Sequence, residues 1–579
     1  MAEKKTVETV QVDKLALVMS KFNDSDSARR IYEDKWDTLY TMYRFKIGKT
    51  RPGRSNFYVP HAFSNVETVF PRMTSKRPRT LVKPRGPQDV EAASVLHKLV
   101  EYAWERANID AVVRRWVKSS LIYGTGIVKV SWKTKNVNET KKKFKLKTLS
   151  FEEESVPVVK YDDVCVTNID LRDIYVEKGA TTVQDAGHII HRSWETKTAI
   201  ESNPNYSNTA NVQYGASNDK ISRGLSAEDR DKYNKSGYAE VLEYWEDDRL
   251  IVVAGGQIVQ DGPNPYDCKR KPFVSMLDQI DDMTFYGIGE VEPIEGIQRE
   301  LNTLRNQRMD FNNLTLNPVF KVMPNAVTDE DSIVFAPGHK IFMNTNDPSA
   351  ITPFEMPQIP FASYKEEESI RMDLQTITGV SDYARGSDAT RMNETATGIS
   401  LIQEAANERF NAKVRNMEQA IGEMVELMVS MYQQFITKER VFRITEDETD
   451  YFETITPEDI QGEFDIFVEK GSSLPSNKMQ KRSEEMNKYN VMMASPLVQS
   501  SPELMAILTK SLINAWEDPE KDEILQAIQS SVEDAAQQKE AAMLEQQIAS
   551  EEAGLANDMG MAQGGQNATA PTGPTFPTE

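Results

Sequence analysis

Asp281-Asp282 and Asp162-Asp163 are adjacent acids, the residue type that holds catalytic metal ions in nucleases. Adjacent acids in turns are ordinarily surface residues, so neither pair predicts a site without further ligands. His188 and His191 stand three apart in a stretch that reads as a strand. That spacing puts them on opposite faces and argues against a shared metal. The remaining histidines are His61, His97 and His339. Gly124-Thr125-Gly126 lacks the following helix and the phosphate-contacting lysine of a nucleotide loop, and no G-x-x-x-x-G-K-[ST] occurs. It reads as a turn from helix to strand, where glycine tolerates positive φ. Cys165 and Cys268 are the only cysteines, which suits reduced thiols better than a disulfide or metal framework. With no Ser/His/Asp constellation either, we expect no enzyme, no cofactor and no metal.

The elements around these residues read as α+β. Residues 24–45 place Tyr32, Trp36, Leu39, Tyr40 and Tyr43 on one helical face, with Ser25 or Asp26 as cap. Helices follow at about 87–106 and 109–122, then the alternating IVKVSWK with a strand partner in KKFKLKTLSF. Arg114 to Lys147 holds eleven basic residues and one acid, Glu139. This basic hairpin reads as a solvated edge or as a contact for DNA or an acidic partner. Between 155 and 275, VPVVKYDDVCV, DIYVEK, HIIHRSWE, YAEVLEYWEDD and RLIVVAGGQIV read as short strands.

Helix returns at 291–316 with a narrow stripe through Ile294, Ile297, Leu301 and Leu304. So narrow a seam suits helices packed side by side in an assembly. Residues 317–357 are proline-punctuated, with NPVFKVM and SIVFAP as short strands, and helix resumes near Phe361. The longest helical signal spans 393–436, stepping by three or four from Ile399 through Phe410, Val414, Met417, Ile421, Met424 and Met428 to Phe435. Between these helices lies TGVSDYARGSDATRMNETATG, rich in turn-forming residues. A connection this long, where about 2–8 residues is usual, is more often functional or disordered.

The 579 residues carry a formal charge of −21 with 39% hydrophobic residues. That size allows roughly three to four domains, and the acid excess argues against stable, non-specific phosphate binding. No window approaches membrane-spanning length and the N-terminus lacks a signal-peptide core, so the expectation is a soluble intracellular product.

Several segments together resemble the portal proteins of tailed bacteriophages, the podovirus-type head-to-tail connectors. They are SSLIYGTGIVKVSW at 119–132, YGIGEVEPIEGIQRELNTLRNQRMDFNNLTLNPVFKV at 286–322, TGVSDYARGSDATRMNETATGISLIQEAANERF at 378–410 and, more weakly, GEFDIFVEKGSS at 462–473. The resemblance implies a ring-forming subunit with an α/β wing, a two-helix stem, a small β-containing clip and a helical crown. Mapped onto this chain, it implies an N-terminal arm at 1–23, a wing at 24–285, a stem helix at 286–316 and a clip at 317–360. A second stem helix at 361–378, a channel loop at 379–397, a wing helix with a β segment at 398–475, a crown at 476–557 and a disordered tail at 558–579 complete it.

The implied function is a homo-oligomeric ring, usually of twelve copies, at one capsid vertex, with host-cytoplasmic assembly. Double-stranded viral DNA would pass through it, and the terminase large subunit, then neck and tail adaptor proteins, would dock. Major capsid and scaffolding proteins are further implied partners; no membrane is. Asp382, Arg385, Asp388, Arg391 and Glu394 are the candidate channel-loop charges. Ile294, Ile297, Leu301 and Leu304 are the candidate seam between copies. Twelve copies would bring a ring charge of about −250, which repels phosphates so that DNA slides. A neck or tail adaptor is the alternative, against which a helix–clip–helix segment in mid-chain and a mass of 65.6 kDa argue. A carboxylate nuclease at Asp281 and Asp282 is the third reading.

Overall fold

The structure is a computed structural model that describes residues 2–46, 54–145, 150–215, 237–316, 319–327, 340–354, 362–380, 396–446, 449–469, 478–495 and 502–516, with a few isolated positions besides. The chain mixes helix and sheet and divides into two units, Met1–Leu474 and Pro475–Glu579.

In the first unit, α1 (Ala2–Tyr43) is one helix where an arm and a shorter helix were expected. The two candidate cap residues lie inside it and are used otherwise. The Ser25 hydroxyl meets His188 Nε2 at 3.3 Å, and Asp26 accepts from Arg29 and Arg30 one turn on. α2 (His61–Met73), β1 (Thr80–Pro84), α3 (Val90–Arg106) and α4 (Ile109–Tyr123) follow. Trp36, Leu39, Leu96, Trp104 and Trp116 from these helices are buried in one large core.

β2 (Thr125–Lys145) pairs antiparallel with β3 (Ser150–Ile169) along its length and with β9 (Phe273–Leu277) at its start. IVKVSWK and the KKFK of 142–145 are thus parts of a single strand, and their partner is the acidic stretch that follows. β4 (Ile174–Val176), β5 (Ile189–Thr196), β6 (Tyr238–Trp245), β7 (Arg249–Ala254) and β8 (Gln257–Pro263) form an antiparallel sheet in sequence order, with the short α5 (Lys197–Ser202) after β5. RLIVVAGGQIV is split into β7 and β8 by Gly255 and Gly256, both at positive φ, the backbone a tight hairpin needs.

Along β7, Leu250, Val252 and Ala254 enter the main core while Ile251 and Val253 enter a second cluster on the opposite face. That period of two reflects burial on both sides. Val18 of α1 closes the second face, with Leu15 and Phe22 packed beside it.

α6 (Glu295–Leu316) and α7 (Ala362–Thr378) run antiparallel. Arg308 pairs with Glu367 and lies 4.9 Å from the Tyr364 ring centroid; beyond the helices, β10 (Phe320–Val322) pairs with β11 (Ile351–Pro353). Of NPVFKVM, Phe320–Val322 forms a strand whose partner is Ile351–Pro353; of the SIVFAP stretch only Ile333 lies within the described residues.

α8 (Ala396–Phe435) is about 60 Å long at ~1.5 Å per residue. Phe410, Val414, Met417, Ile421, Met424, Met428 and Met431 are buried, as their spacing predicted. β12 (Arg440–Glu446) pairs with β13 (Thr449–Ile455), and β14 (Phe464–Val468) returns to β1.

In the second unit, α9 (Lys478–Met493) and α10 (Pro502–Trp516) pack together, Ser511 donating to Glu485 at 2.9 Å. The expected tail, 558–579, lies outside the described residues.

Candidate functional site at the foot of the helical hairpin

Three of the sequence segments singled out above meet at one place. Gly124 ends α4 at φ 88°, and a Cβ there would stand 1.8 Å from the Gly287 carbonyl oxygen. Only glycine allows that approach. Gly289 packs closely as well, its missing Cβ falling 2.7 Å from the Gly124 nitrogen. The contact is locked when Gly287 N donates to Thr125 Oγ1 at 2.9 Å and Glu290 N donates to the Leu121 carbonyl at 2.8 Å. Read alone, Gly124-Thr125-Gly126 is a turn; in the fold it is half of a backbone-to-backbone joint.

The joint delivers Glu290 into a buried ionic cluster. Lys413 of α8 donates to both Asp278 oxygens at 2.8 Å and to Glu290 Oε1 at 2.6 Å. Asn65 of α2 donates to Glu290 Oε2 at 2.6 Å. Burial lifts the Asp278 carboxyl to about 7; Lys413 pulls it down and Glu290 pushes it up. Burial would lower the Lys413 ammonium, but Asp278 and Glu290 outweigh it and hold it above its ordinary value. Two acids sharing one lysine in a dry site tie α2, the β9 exit, the α6 entry and α8 into one rigid foot.

One turn before Lys413, Arg409 reaches the end of α7. It donates to the Thr376 carbonyl at 3.0 Å and lies against Gly379, which leaves the helix at φ 67°. A cation and a positive-φ glycine at a helix C-terminus satisfy carbonyls that have no partner within the helix. Val380 is fully buried. A cavity of about 570 Å³ opens beside this foot, lined in part by Asp278, Glu290, Pro293, Thr378, Arg409 and Lys413. The polar stretch therefore leaves from an anchored point. Asp382, Arg385, Asp388, Arg391 and Glu394 themselves lie outside the described residues.

The candidate seam is placed differently from its reading. Ile294 and Leu301 are buried in the chain's own core, in the cluster that contains Ile370 and Leu374 of α7. Ile297 and Leu304 are half-buried against the same core. The stripe predicted for contact between copies is largely consumed within one chain, because the returning helix and the core already cover it.

The polar side of α6 has a use that the sequence hid. Gln298, Asn302, Asn306 and Asp310, four residues apart, grip the backbone of residues 55–62. Gln298 Oε1 accepts from His61 N at 3.0 Å, and Asn302 Oδ1 accepts from Val59 N at 3.1 Å. Asn306 Nδ2 donates to the Phe57 carbonyl at 3.1 Å, and Asp310 accepts from Ser55 N. The i, i+4 row of amides was visible in the sequence as a signal, but not its partner.

Asp162, Asp163, Asp281, His188 and His191 each have partners within the fold. Asp162 and Asp163 lie on β3, not in a turn, and face opposite ways. Asp162 accepts from Trp132 and Thr134 at 2.8 Å and pairs with Arg440. These contacts outweigh burial and hold its carboxyl low. Burial lifts Asp163, which accepts from Tyr432 at 2.7 Å. Asp281 accepts from Met283 N in a tight turn. His188 stacks on Tyr244 whereas His191 meets Glu243 at 3.2 Å, on the other face of the sheet. Among the described residues no group of three or more His, Cys, Asp or Glu is placed to hold a metal, and no helix is long and apolar enough to cross a membrane.

A family model described as phage SU10 portal protein matches residues 15–164 and 146–556, most of the chain. The joint, the hairpin and the anchored polar stretch all fall inside the match. This chain belongs to the SU10 portal family, the portal proteins of tailed phages.

Proposed function

We propose that copies of this chain form a ring at one capsid vertex, usually of twelve, through which viral DNA is packaged and later ejected. The observation that carries this reading is the hairpin of α6 and α7, with the β10–β11 pair beyond it. Pro293 and Thr378 line one cavity, Arg308 meets Glu367 midway, and Phe320 stands opposite Pro353 at the far end. In this reading α6 and α7 are the stem, residues 317–360 are the clip, and the first-unit helices and sheets with α8 are the wing. The second unit forms the crown. The clip offers the terminase large subunit, and then neck and tail adaptors, a surface where Val319, Phe342 and Phe354 are exposed. Ile297 and Leu304 are the part of the stem seam with area left for a neighbouring copy.

The segment after Val380 faces the channel in this reading, held by the foot that Arg409 and Lys413 build. Negative-stain microscopy of the purified chain tests the ring: a particle with a central channel is expected, and a monomer under every condition overturns it. The channel assignment has its own test. Asp382→Lys with Asp388→Lys adds four charges per copy, about 48 in twelve, which would hold phosphates near the axis. Rings that melt normally but package DNA more slowly, with relief at higher salt, are the expected result. Unchanged packaging at low salt places the segment elsewhere.

A further inference from the structure

β2 and β3 form a long ribbon, most of which has no third strand. β9 pairs with β2 only from Thr125 to Lys129. Beyond a register shift at Lys135/Asn136, pairing runs from Asn136↔Val159 to Lys145↔Ser150. That stretch is about 33 Å long at ~3.3 Å per residue. Among the described residues no further strand joins either of its edges. A lone two-stranded ribbon is marginally stable in water, so one of this length needs cover.

Its sequence says what kind. Residues 136–145 carry Lys141, Lys142, Lys143 and Lys145 with one acid, Glu139; residues 150–159 carry Glu152, Glu153 and Glu154 and no base. The register sets Lys141 opposite Glu154, Lys142 opposite Glu153 and Lys143 opposite Glu152. Basic in isolation, β2 here faces an acidic β3, and the two paired stretches 136–145 and 150–159 together hold four bases and four acids, which weakens the case for DNA as their partner. What remains is a ribbon with one basic strand and one acidic strand. Lysines on an edge ordinarily discourage pairing, but a second copy presents glutamates at the matching height.

We propose that the β3 edge over 150–156 of one copy pairs with the β2 edge over 139–145 of the next, continuing the antiparallel order. Two different edges meet, so the contact is head-to-tail and propagates around a ring. Pro157, without an N–H to donate, and the register shift at Lys135/Asn136 end the pairing toward the ribbon's base. The inference rests on the ring reading above.

Two full-length variants test it. Lys141→Glu/Lys142→Glu/Lys143→Glu makes both strands acidic; Glu152→Lys/Glu153→Lys/Glu154→Lys makes both basic. Each alone sets like charges edge to edge and is expected to stay unassembled at low salt in native mass spectrometry. An equimolar mixture restores opposite charges between neighbours and should give rings holding both variants in equal number. Repulsion inside each hairpin is the same in the mixture as alone, so recovery reports contact between copies. Assembly of either variant alone to the wild-type extent, or a mixture that behaves as its components do, overturns the proposal. If either variant fails to fold by circular dichroism, hydrogen exchange on the wild-type chain decides. Within 150–156, the amides not bonded to β2 should be protected in the ring and exchange freely in the monomer, and equal exchange in both overturns the pairing. A wild-type chain that never forms rings sinks the ring reading itself.

Discussion

Lys413→Met keeps most of the side chain's volume and removes its charge from the foot of the hairpin. Among the described residues Lys413 is the base that pairs with both carboxylates there, with Asp278 0% and Glu290 4% exposed at the side chain. Removing one member of a buried ionic group costs about 3–5 kcal/mol, because the remaining charges are left without compensation. For the unit Met1–Leu474, an unfolding entropy of ~2.1 cal/mol/K per residue sums to about 1 kcal/mol/K. The melting temperature should therefore fall by about 3–5 °C. The deficit should also depend on pH. Burial already lifts Asp278 to about 7 with Lys413 beside it, and without the lysine it rises further. A carboxyl with a folded pKa above its unfolded value loses stability as pH rises between the two, since the native state keeps a proton that the unfolded state releases. The variant should thus lie nearest wild type at pH 5 and furthest from it at pH 8. Calorimetry of the unassembled full-length chain at both pH values measures this. A shift below 1 °C at pH 8, or a deficit that widens toward pH 5, would refute the reasoning.

Gly124→Ala should abolish accumulation of folded chain, since its Cβ meets the Gly287 carbonyl at 1.8 Å on a backbone at φ 88°; soluble expression with a normal melt would show that the joint can open. Leu301→Ala should destabilise the unassembled chain by about 2–5 kcal/mol, the cost of a core cavity. An unchanged urea midpoint with lost assembly would instead assign Leu301 to a contact between copies. Asp281→Asn/Asp282→Asn should match wild type in a magnesium-dependent DNA cleavage assay, with no cleavage by either. Activity in wild type that the variant lacks would revive the nuclease reading.

The sequence by itself determined what depends on neighbours a few residues away. The buried face of α8 from Phe410 to Met431 followed from steps of three and four, because a helix turns that face inward whatever it packs against. The end of α7 at Thr378 and the positive φ of Gly124 were equally local, the one set by turn-forming residues and the other by backbone sterics. The family resemblance was legible in the order of its motifs. Tertiary structure alone decided the partners. An apolar stripe on α6 looks the same whether a second copy or the chain's own core covers it, and here the core covers Ile294 and Leu301. Gln298 and Asn302 show their polar face in the sequence, but their partner, residues 55–62, is set only by the fold. Lysines 141–143 read as a basic hairpin until the register sets glutamates opposite. Lys413 finds Asp278 across 135 residues of chain. Most such pairings are chosen by which distant segments the closing chain brings together, and few windows of sequence contain both halves of the choice.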